Sequence, residues 1–214
     1  LAANASVPVW NGLTTEWHPT QMLADILTMQ ENFNYDIKGK TLVFMGDCKN
    51  NVARSLMVVC AKLGLNFVAR GPESCMPAQD VIDATKPFFE ENGCTCTLTQ
   101  DVAEGVKGAH AIYTDVWVSM GEPDEVWESR IKELTPYRVT SEVMAMADPS
   151  AIFLHCLPSF HDTNTVIGAE KAKQFGITEQ EVTDEVFEGP QSRVFDEAEN
   201  RMHTIKAIMY ATLS

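Results

Sequence analysis

Apolar residues return at helical spacing behind His18-Pro19: Met22, Leu23, Ile26, Leu27 and Met29 predict a helix over residues 18–31, with proline near the first turn, where its missing N–H does no harm. A polar connection follows and ends in Lys38-Gly39-Lys40, a plausible hinge or domain boundary. Thr41–Met45 is then a short unbroken apolar run of the kind that forms a strand buried on both faces. The pattern repeats. A helix over 52–63 is closed by Gly64, a strand covers 65–69, and a helix over 78–92 is again closed by glycine. Strands over 95–99 and 109–114 flank a short helix near 101–106, and Ile152–His155 is the last strand. This alternation predicts an α/β fold: a doubly wound parallel sheet with helices on both faces, plus a flanking N-terminal helix and a long C-terminal helix. That last helix spans Phe195–Leu213 and carries Ala198, Met202, Ile205, Met209 and Leu213 near one face. So broad an apolar stripe has to be buried, on this sheet or on a partner domain.

Composition narrows the partners. The chain has 214 residues, 45% of them apolar, which is enough to bury one large core. A formal net charge of -14 makes nucleic acid and anionic membrane surfaces poor partners, although a few local basic groups can still hold a small anion. Nothing approaches the roughly 18 consecutive apolar residues that a membrane span needs. The six cysteines do not have the spacing of paired zinc knuckles, and Cys94-x-Cys96 lacks a second pair or a His cluster. Cys48, Cys60 and Cys156 sit in contexts typical of free thiols in an intracellular enzyme, so a cytoplasmic chain without bound metal is expected.

Open parallel sheets bind ligands at the carboxyl ends of their strands. That rule selects the Gly46–Asn51 turn, the segment from Asp115 onward, the segment from His155-Cys156, and the helix entry at His18. The turn lacks the second and third glycines of a dinucleotide fingerprint, and its plainer reading is a helix cap. Asp115, Ser119 and Gly121 at a strand end suit a zwitterion, the carboxylate holding an ammonium; equally, Asp115 is a helix cap. His155 beside Cys156 invites a nucleophile reading, but neighbours on a strand point to opposite faces, so the two cannot act as a direct dyad. His18 and Gln21 place an imidazole and an amide one turn apart at the positive end of a helix. Arg201 either pairs with Glu197 along its own helix or clamps an anionic oxygen.

Taken together, these segments resemble the ornithine carbamoyltransferases. The matching motifs occur in the family's order: Val7-Pro8-Val9-Trp10-Asn11-Gly12-Leu13, His18-Pro19-Thr20-Gln21, Gly46-Asp47 with Asn50-Asn51, Asp115-Val116-Trp117-Val118-Ser119-Met120-Gly121, His155-Cys156-Leu157-Pro158 and Glu199-Asn200-Arg201. Aspartate carbamoyltransferases carry proline where Cys156 stands, and putrescine carbamoyltransferases differ in the Ser119-Met120-Gly121 loop. The resemblance implies attack of the L-ornithine δ-amine on carbamoyl phosphate, giving L-citrulline and phosphate. It implies that His18 and Gln21 bind the carbamoyl group, that Arg201 neutralises charge on its oxygen, and that the Leu157 carbonyl takes its NH2. Cys156 would lie beside the δ-amine, Asp115 would pair with the α-amine, and Asn51, Ser119 and the Met120 backbone would hold the α-amino acid end. No metal or organic cofactor is implied, because carbamoyl phosphate is already activated; a homo-oligomer, a trimer for the intact parent, is.

The family's Ser-x-Arg-Thr phosphate loop has no counterpart in this sequence. Residues 1–33 are therefore expected to be the end of a carbamoyl-phosphate domain with its interdomain helix, 34–194 the ornithine-binding domain, and 195–214 a helix that packs on the carbamoyl-phosphate domain. On that division the chain is a truncated or processed piece with little transferase activity alone. The competing reading is a non-catalytic amino-acid-binding or regulatory module derived from a carbamoyltransferase.

Overall fold

Four largely buried strands and one more exposed, threonine-bearing edge strand pair into one sheet. In the computed structural model, which describes residues 1–119 and 121–213, these are β1 (Thr41–Met45), β2 (Asn66–Arg70), β3 (Cys96–Thr99), β4 (Ala111–Thr114) and β5 (Ile152–His155). They lie in the order β3-β2-β1-β4-β5 and every pairing is parallel. In β1, Val43 sits opposite Val68 and Ile112, and Phe44 opposite Ala69 and Tyr113. Because side chains alternate along a strand, Leu42, Phe44, Tyr113 and Leu154 enter one core and Val43, Met45, Ile112 and Phe153 the other.

Helices cover both cores, as the strand–helix alternation predicts. The first face is packed by α1 (Pro19–Asn32), α2 (Asn51–Leu63) and α3 (Gln79–Asn92). The second is packed by α4 (Val102–Val106), α6 (Ser141–Met146) and α8 (Asp184–Phe187). Between them run α5 (Trp127–Leu134) and α7 (Val166–Phe175), and α9 (Val194–Leu213) closes the described chain. Phe44 is fully buried between β2 and β4, and truncating such a side chain to alanine costs about 3–5 kcal/mol.

The sequence pattern does not anticipate α5, α6, α7 or α8. Each is short and buries only one or two residues, such as Trp127 and Leu134 in α5 or Val143 and Met144 in α6, too few for a visible period. Side-chain caps from Thr140 and Thr165, rather than apolar stripes, mark where α6 and α7 begin.

Two backbone features shape the turn after β1. The Asn50 side chain accepts the Ala53 N–H at 2.8 Å and so caps α2. A Cβ on Gly71 would come within 2.2 Å of the Gly46 carbonyl, so only glycine lets the exits of β1 and β2 pack this closely.

The last helix leaves most of its apolar stripe uncovered by this sheet. Its buried residues are Val194, Glu197 and Asn200, whereas Met202, Met209 and Leu213 of the apolar stripe are exposed and border an open groove with Ile205 and Tyr210. Polar contacts dock it on α1: Asn200 donates to Thr28 Oγ1 at 3.0 Å and to Glu31 Oε2 at 2.7 Å. All six cysteines are free thiols, and no described helix is long and apolar enough to cross a membrane.

Candidate active site

The chain leaves β1 toward β2 on one side, while β4 and β5 lie on the other, so a crevice opens at the carboxyl ends of β1 and β4. Two residues bridge it. Asp115, the first residue after β4, accepts a hydrogen bond from Asn50 Nδ2 at 3.0 Å and its neighbour's N–H, that of Val116, at 2.9 Å. Burial pushes the Asp115 carboxyl up to about 7, against the opposing pull of His155 and the Val116 N–H. A carboxyl poised there is ready to ionise when a cation arrives.

The next wall is built from α1 and α9. His18 and Gln21 are both buried, one turn apart at the start of α1, and the His18 N–H is fixed by Ser55 Oγ at 2.9 Å. Arg201 of α9 donates to Gln21 Oε1 at 2.9 Å, and the same nitrogen lies 3.4 Å from His18 Nε2. Burial, followed by the Arg201 charge, pushes His18 down to about 4, so its imidazole is neutral at neutral pH. Behind this row, Gln21 Nε2 donates to Asp25 Oδ1 at 2.9 Å and Glu197 Oε1 at 2.7 Å. Glu197 also accepts the Tyr113 hydroxyl at 2.9 Å and the His155 backbone N–H at 3.0 Å. One carboxyl thus joins α9, β4 and the end of β5.

Just past β5, Cys156 is buried. Desolvation pushes its thiol far up, Asp115, Asp25 and Glu197 push the same way, and Arg201 opposes them. The thiol is therefore neutral, and it lies within the electrostatic reach of both Asp115 and Arg201. His155 faces elsewhere: its Nε2 is 3.1 Å from Glu181 Oε1, with both side chains fully buried. Burial works against both charges, but the hydrogen bond and charge of the partner outweigh it, raising His155 and lowering Glu181. Ser159 Oγ and the Phe160 N–H also donate to Glu181 Oε1, at 2.8 and 2.6 Å, which locks the turn after Cys156.

The structure thus brings His18, Gln21 and Arg201 together, with Cys156 between that row and Asp115. The remaining sequence candidates are less engaged. Asn51 Nδ2 donates to the Thr14 carbonyl at 2.8 Å, and it is Asn50 that reaches Asp115. Ser119 is exposed, with its N–H on Glu122 Oε2 at 2.6 Å; the Leu157 side chain is partly exposed, and Met120 lies outside the described residues. The intrahelical ion pair open to Glu197 and Arg201 is replaced by separate partners, Glu197 turning to Tyr113 and Arg201 to Gln21. Asp25 and Glu181 are not among the sequence candidates, Glu197 is there only as an ion-pair partner of Arg201, and Asn50 belongs to the turn read as a helix cap, a role it fills. Asp25 carried a signal, being a carboxylate between Met22, Ile26 and Met29 on the buried face of α1.

Comparison with known proteins places the chain in a family. The family model for the aspartate/ornithine carbamoyltransferase Asp/Orn-binding domain matches residues 38–212, and that for the carbamoyl-P-binding domain matches residues 1–31. The catabolic ornithine carbamoyltransferase of Treponema denticola is 58% identical over 213 residues, covering 100% of this chain and 63% of the relative. That of Lentilactobacillus hilgardii is 54% identical over 216 residues, covering 100% and 62%. The chain therefore spans under two thirds of the length of these relatives. Among solved structures, the Pyrococcus furiosus ornithine carbamoyltransferase matches with a TM-score of 0.83 at 40% identity, over 97% of this chain and 60% of that one. The Gloeobacter violaceus enzyme matches with a TM-score of 0.82 at 36% identity, over 100% and 65%. With a matching family model over most of its length and the motif residues gathered at one crevice, this chain belongs to the aspartate/ornithine carbamoyltransferase family.

Proposed function

We propose that this chain provides the amino-acid side and the carbamoyl-oxygen wall of an ornithine carbamoyltransferase. The reaction is transfer of the carbamoyl group of carbamoyl phosphate to the δ-amine of L-ornithine, giving L-citrulline and phosphate. The observation that carries the reading is the Arg201 guanidinium resting on Gln21 and beside a neutral His18, residues 180 and 183 positions away in sequence. Such a row is suited to a carbonyl oxygen that gains negative charge as the amine attacks, and donors fixed in advance cost no reorganisation at that moment.

The chemistry divides among named groups. The neutral δ-amine attacks the carbamoyl carbon, a C–N bond forms, the C–O bond to phosphate breaks, and the amine proton leaves with the departing phosphate or to solvent. Arg201, Gln21 and His18 face the carbonyl oxygen, and the Leu157 carbonyl accepts from the carbamoyl NH2. The thiol of Cys156, neutral in this setting, orients the δ-amine rather than removing its proton. Asp115 pairs with the α-ammonium, and Asn51, Ser119 and the Met120 backbone receive the rest of the α-amino acid. The Treponema denticola and Lentilactobacillus hilgardii relatives are named catabolic; the same groups serve both directions by microscopic reversibility.

The phosphate contacts are assigned to a carbamoyl-phosphate-binding part against which the exposed stripe of α9 packs, in an enzyme that assembles as a homo-oligomer, a trimer. Citrulline formation is to be measured for the 214-residue chain alone and after joining it to the carbamoyl-phosphate-binding segment of the Treponema denticola relative. The expected result is turnover by the joined chain and little by the chain alone. A folded joined chain that makes no citrulline sinks the reading. Strong ornithine binding by the chain alone, with no turnover on joining, supports a non-catalytic amino-acid-binding module instead.

A further inference from the structure

Two carboxyl groups, Asp25 on α1 and Glu197 on α9, lie behind the Gln21–Arg201 row with no exposure to solvent. Among the described residues no cation touches either of them. Arg201 lies on the far side of Gln21, bonded to its Oε1, while the carboxyls share its Nε2. The same two carboxyls also share the Tyr113 hydroxyl, and two anions held on common donors, out of water and without a cation, repel strongly, which favours a proton on one of them. The donor count decides which. Glu197 accepts from Tyr113, Gln21 and the His155 N–H. Asp25 has the Gln21 amide at 2.9 Å and Tyr113 only at 3.5 Å, and its Oδ2 is buried without another partner. Glu197 is thus provided for as an anion, and Asp25 Oδ2 is the oxygen left to carry the proton.

We infer that Asp25 and Glu197 are a proton-sharing pair of positioning residues, Asp25 neutral and Glu197 ionised, that aims Gln21 and through it Arg201 at the carbamoyl oxygen. The aiming half of this statement rests on the carbamoyl-transfer reading; the proton-sharing half does not. Burial first and the Glu197 charge second push Asp25 well above the carboxylate range; burial raises Glu197 as well, but the His155 N–H, the Tyr113 hydroxyl and the His155 charge pull it back. The other titratable groups facing the pair are Tyr113 from β4, His155 and Cys156 at the end of β5, Cys60 from α2 and Arg201 from α9. Of these only His155 and Arg201 can be positive; the His155 ring is held by Glu181 and Arg201 by Gln21, so neither pairs with a second anion here. A single charge also explains the orientation of Gln21: both its N–H groups are drawn to the carboxyls, which leaves only its oxygen for Arg201.

The pair makes an asymmetric prediction. Asparagine mimics a neutral Asp25, with an NH2 to donate to Glu197 and an oxygen to accept from Gln21, so Asp25→Asn should fold and keep the row in place. Glutamine cannot mimic an ionised Glu197, because its NH2 would meet the His155 N–H or the donors of Gln21 and Tyr113. The primary test uses the 214-residue chain with 13C-labelled aspartate side chains. One carboxyl signal is expected to remain in the protonated position well above pH 7, where Asp115 has ionised, and to vanish in Asp25→Asn. No protonated aspartate in that range, or one that survives Asp25→Asn there, overturns the proton sharing. For the aiming, the exchange of the Arg201 guanidinium N–H signals with water is expected to stay slow in wild type and Asp25→Asn, and to speed up in Glu197→Gln. In the joined chain, kcat should fall on the order of 10²-fold in Glu197→Gln, with the ornithine KM little changed. Equal damage from Asp25→Asn and Glu197→Gln overturns the assignment. Should Glu197→Gln fail to fold, Asp25→Asn against Asp25→Ala decides: rescue by asparagine supports the pair, and equal loss sinks it. A wild-type joined chain without turnover would sink the functional reading alone, since the carboxyl and guanidinium signals are read without it.

Discussion

The two sides of the crevice are built on different principles. On the α1/α9 side, His18 and Gln21 are each only 4% exposed, and Gln21 spends both its oxygen and its amide on protein partners. On the side facing β4, Ser119 is exposed, Asn51 is turned to a backbone carbonyl, and Asp115 holds a carboxyl near the edge of ionisation. The first side is fixed without any ligand; on the proposed reading the second changes partners or charge when one binds. This is the division that the proposed carbamoyl transfer requires, since groups meeting developing charge gain most from being preorganised. Groups that admit and release a flexible amino acid gain from being adaptable.

Both sides stand on the Glu181–His155 pair, and removing it should produce the largest effect. Glu181→Ala leaves His155, Ser159 Oγ and the Phe160 N–H without their shared acceptor. Breaking a buried pair of this kind costs about 3–5 kcal/mol, read from denaturant unfolding near neutral pH. The sign with pH follows from the two shifts. Glu181 is lowered, so its contribution is present above the unfolded carboxylate pKa and lost as pH falls through the folded one. His155 is raised, so its contribution is present below its unfolded pKa and lost as pH rises through the folded one. Glu181→Ala should flatten both limbs, and a loss below about 1 kcal/mol would count against the pair as the common support.

Arg201→Lys tests the rigid side directly. Lysine keeps the charge but loses the planar fork that spans Gln21, His18 and Thr20. In the joined chain kcat should fall about 10²–10³-fold, equivalent to roughly 2.7–4 kcal/mol, with little change in ornithine binding. If ornithine affinity falls instead, the assignment of this wall to the carbamoyl oxygen is wrong.

Asp115→Asn tests the adaptable side. A carboxyl at about 7 must give up its proton to pair with an ammonium, so ornithine binding near neutral pH should release a proton and tighten as pH rises. Calorimetry in buffers of different ionisation enthalpy reads that proton; the variant should lose the Asp115 share of that release and bind about 1.5–3 kcal/mol more weakly. Without ligand the sign reverses. A raised carboxyl contributes stability that is fully present below its unfolded pKa and lost as pH rises through about 7, so Asp115→Asn should outlast wild type above that pH.

The difference between the two sides also explains what could be read from sequence. The sheet was legible because β1, β2, β4 and β5 are largely apolar and the segments are punctuated by glycines such as Gly64 and Gly93, which stop α2 and α3 in the left-handed conformation. The helices α5 to α8 were not, because they bury too little to show a period. At the site, His18, Gln21, Cys156 and Arg201 belong to motifs with recognisable order. Asp25, Glu181 and Glu197 become meaningful only once folding removes them from water and places donors around them. Before that, a glutamate four residues from an arginine on a helix reads as a solvated ion pair.

The smallest expected effect sharpens the contrast most. Asn51 is implied to hold the α-amino acid end, yet its Nδ2 already donates to the Thr14 carbonyl at 2.8 Å. Turning it to a ligand exchanges one hydrogen bond for another, so the net gain is a difference rather than a whole bond. Asn51→Ala should therefore weaken ornithine binding by no more than about 1 kcal/mol, well short of Asp115→Asn. Asn50→Ala provides the control. It removes both the α2 cap and the bond to Asp115, so it should lower stability by about 1 kcal/mol and shift the pH at which ornithine binding releases its proton. If Asn51→Ala costs as much as Asp115→Asn, Asn51 is preorganised for ligand after all, and the adaptable side of the crevice begins beyond α2 rather than at it.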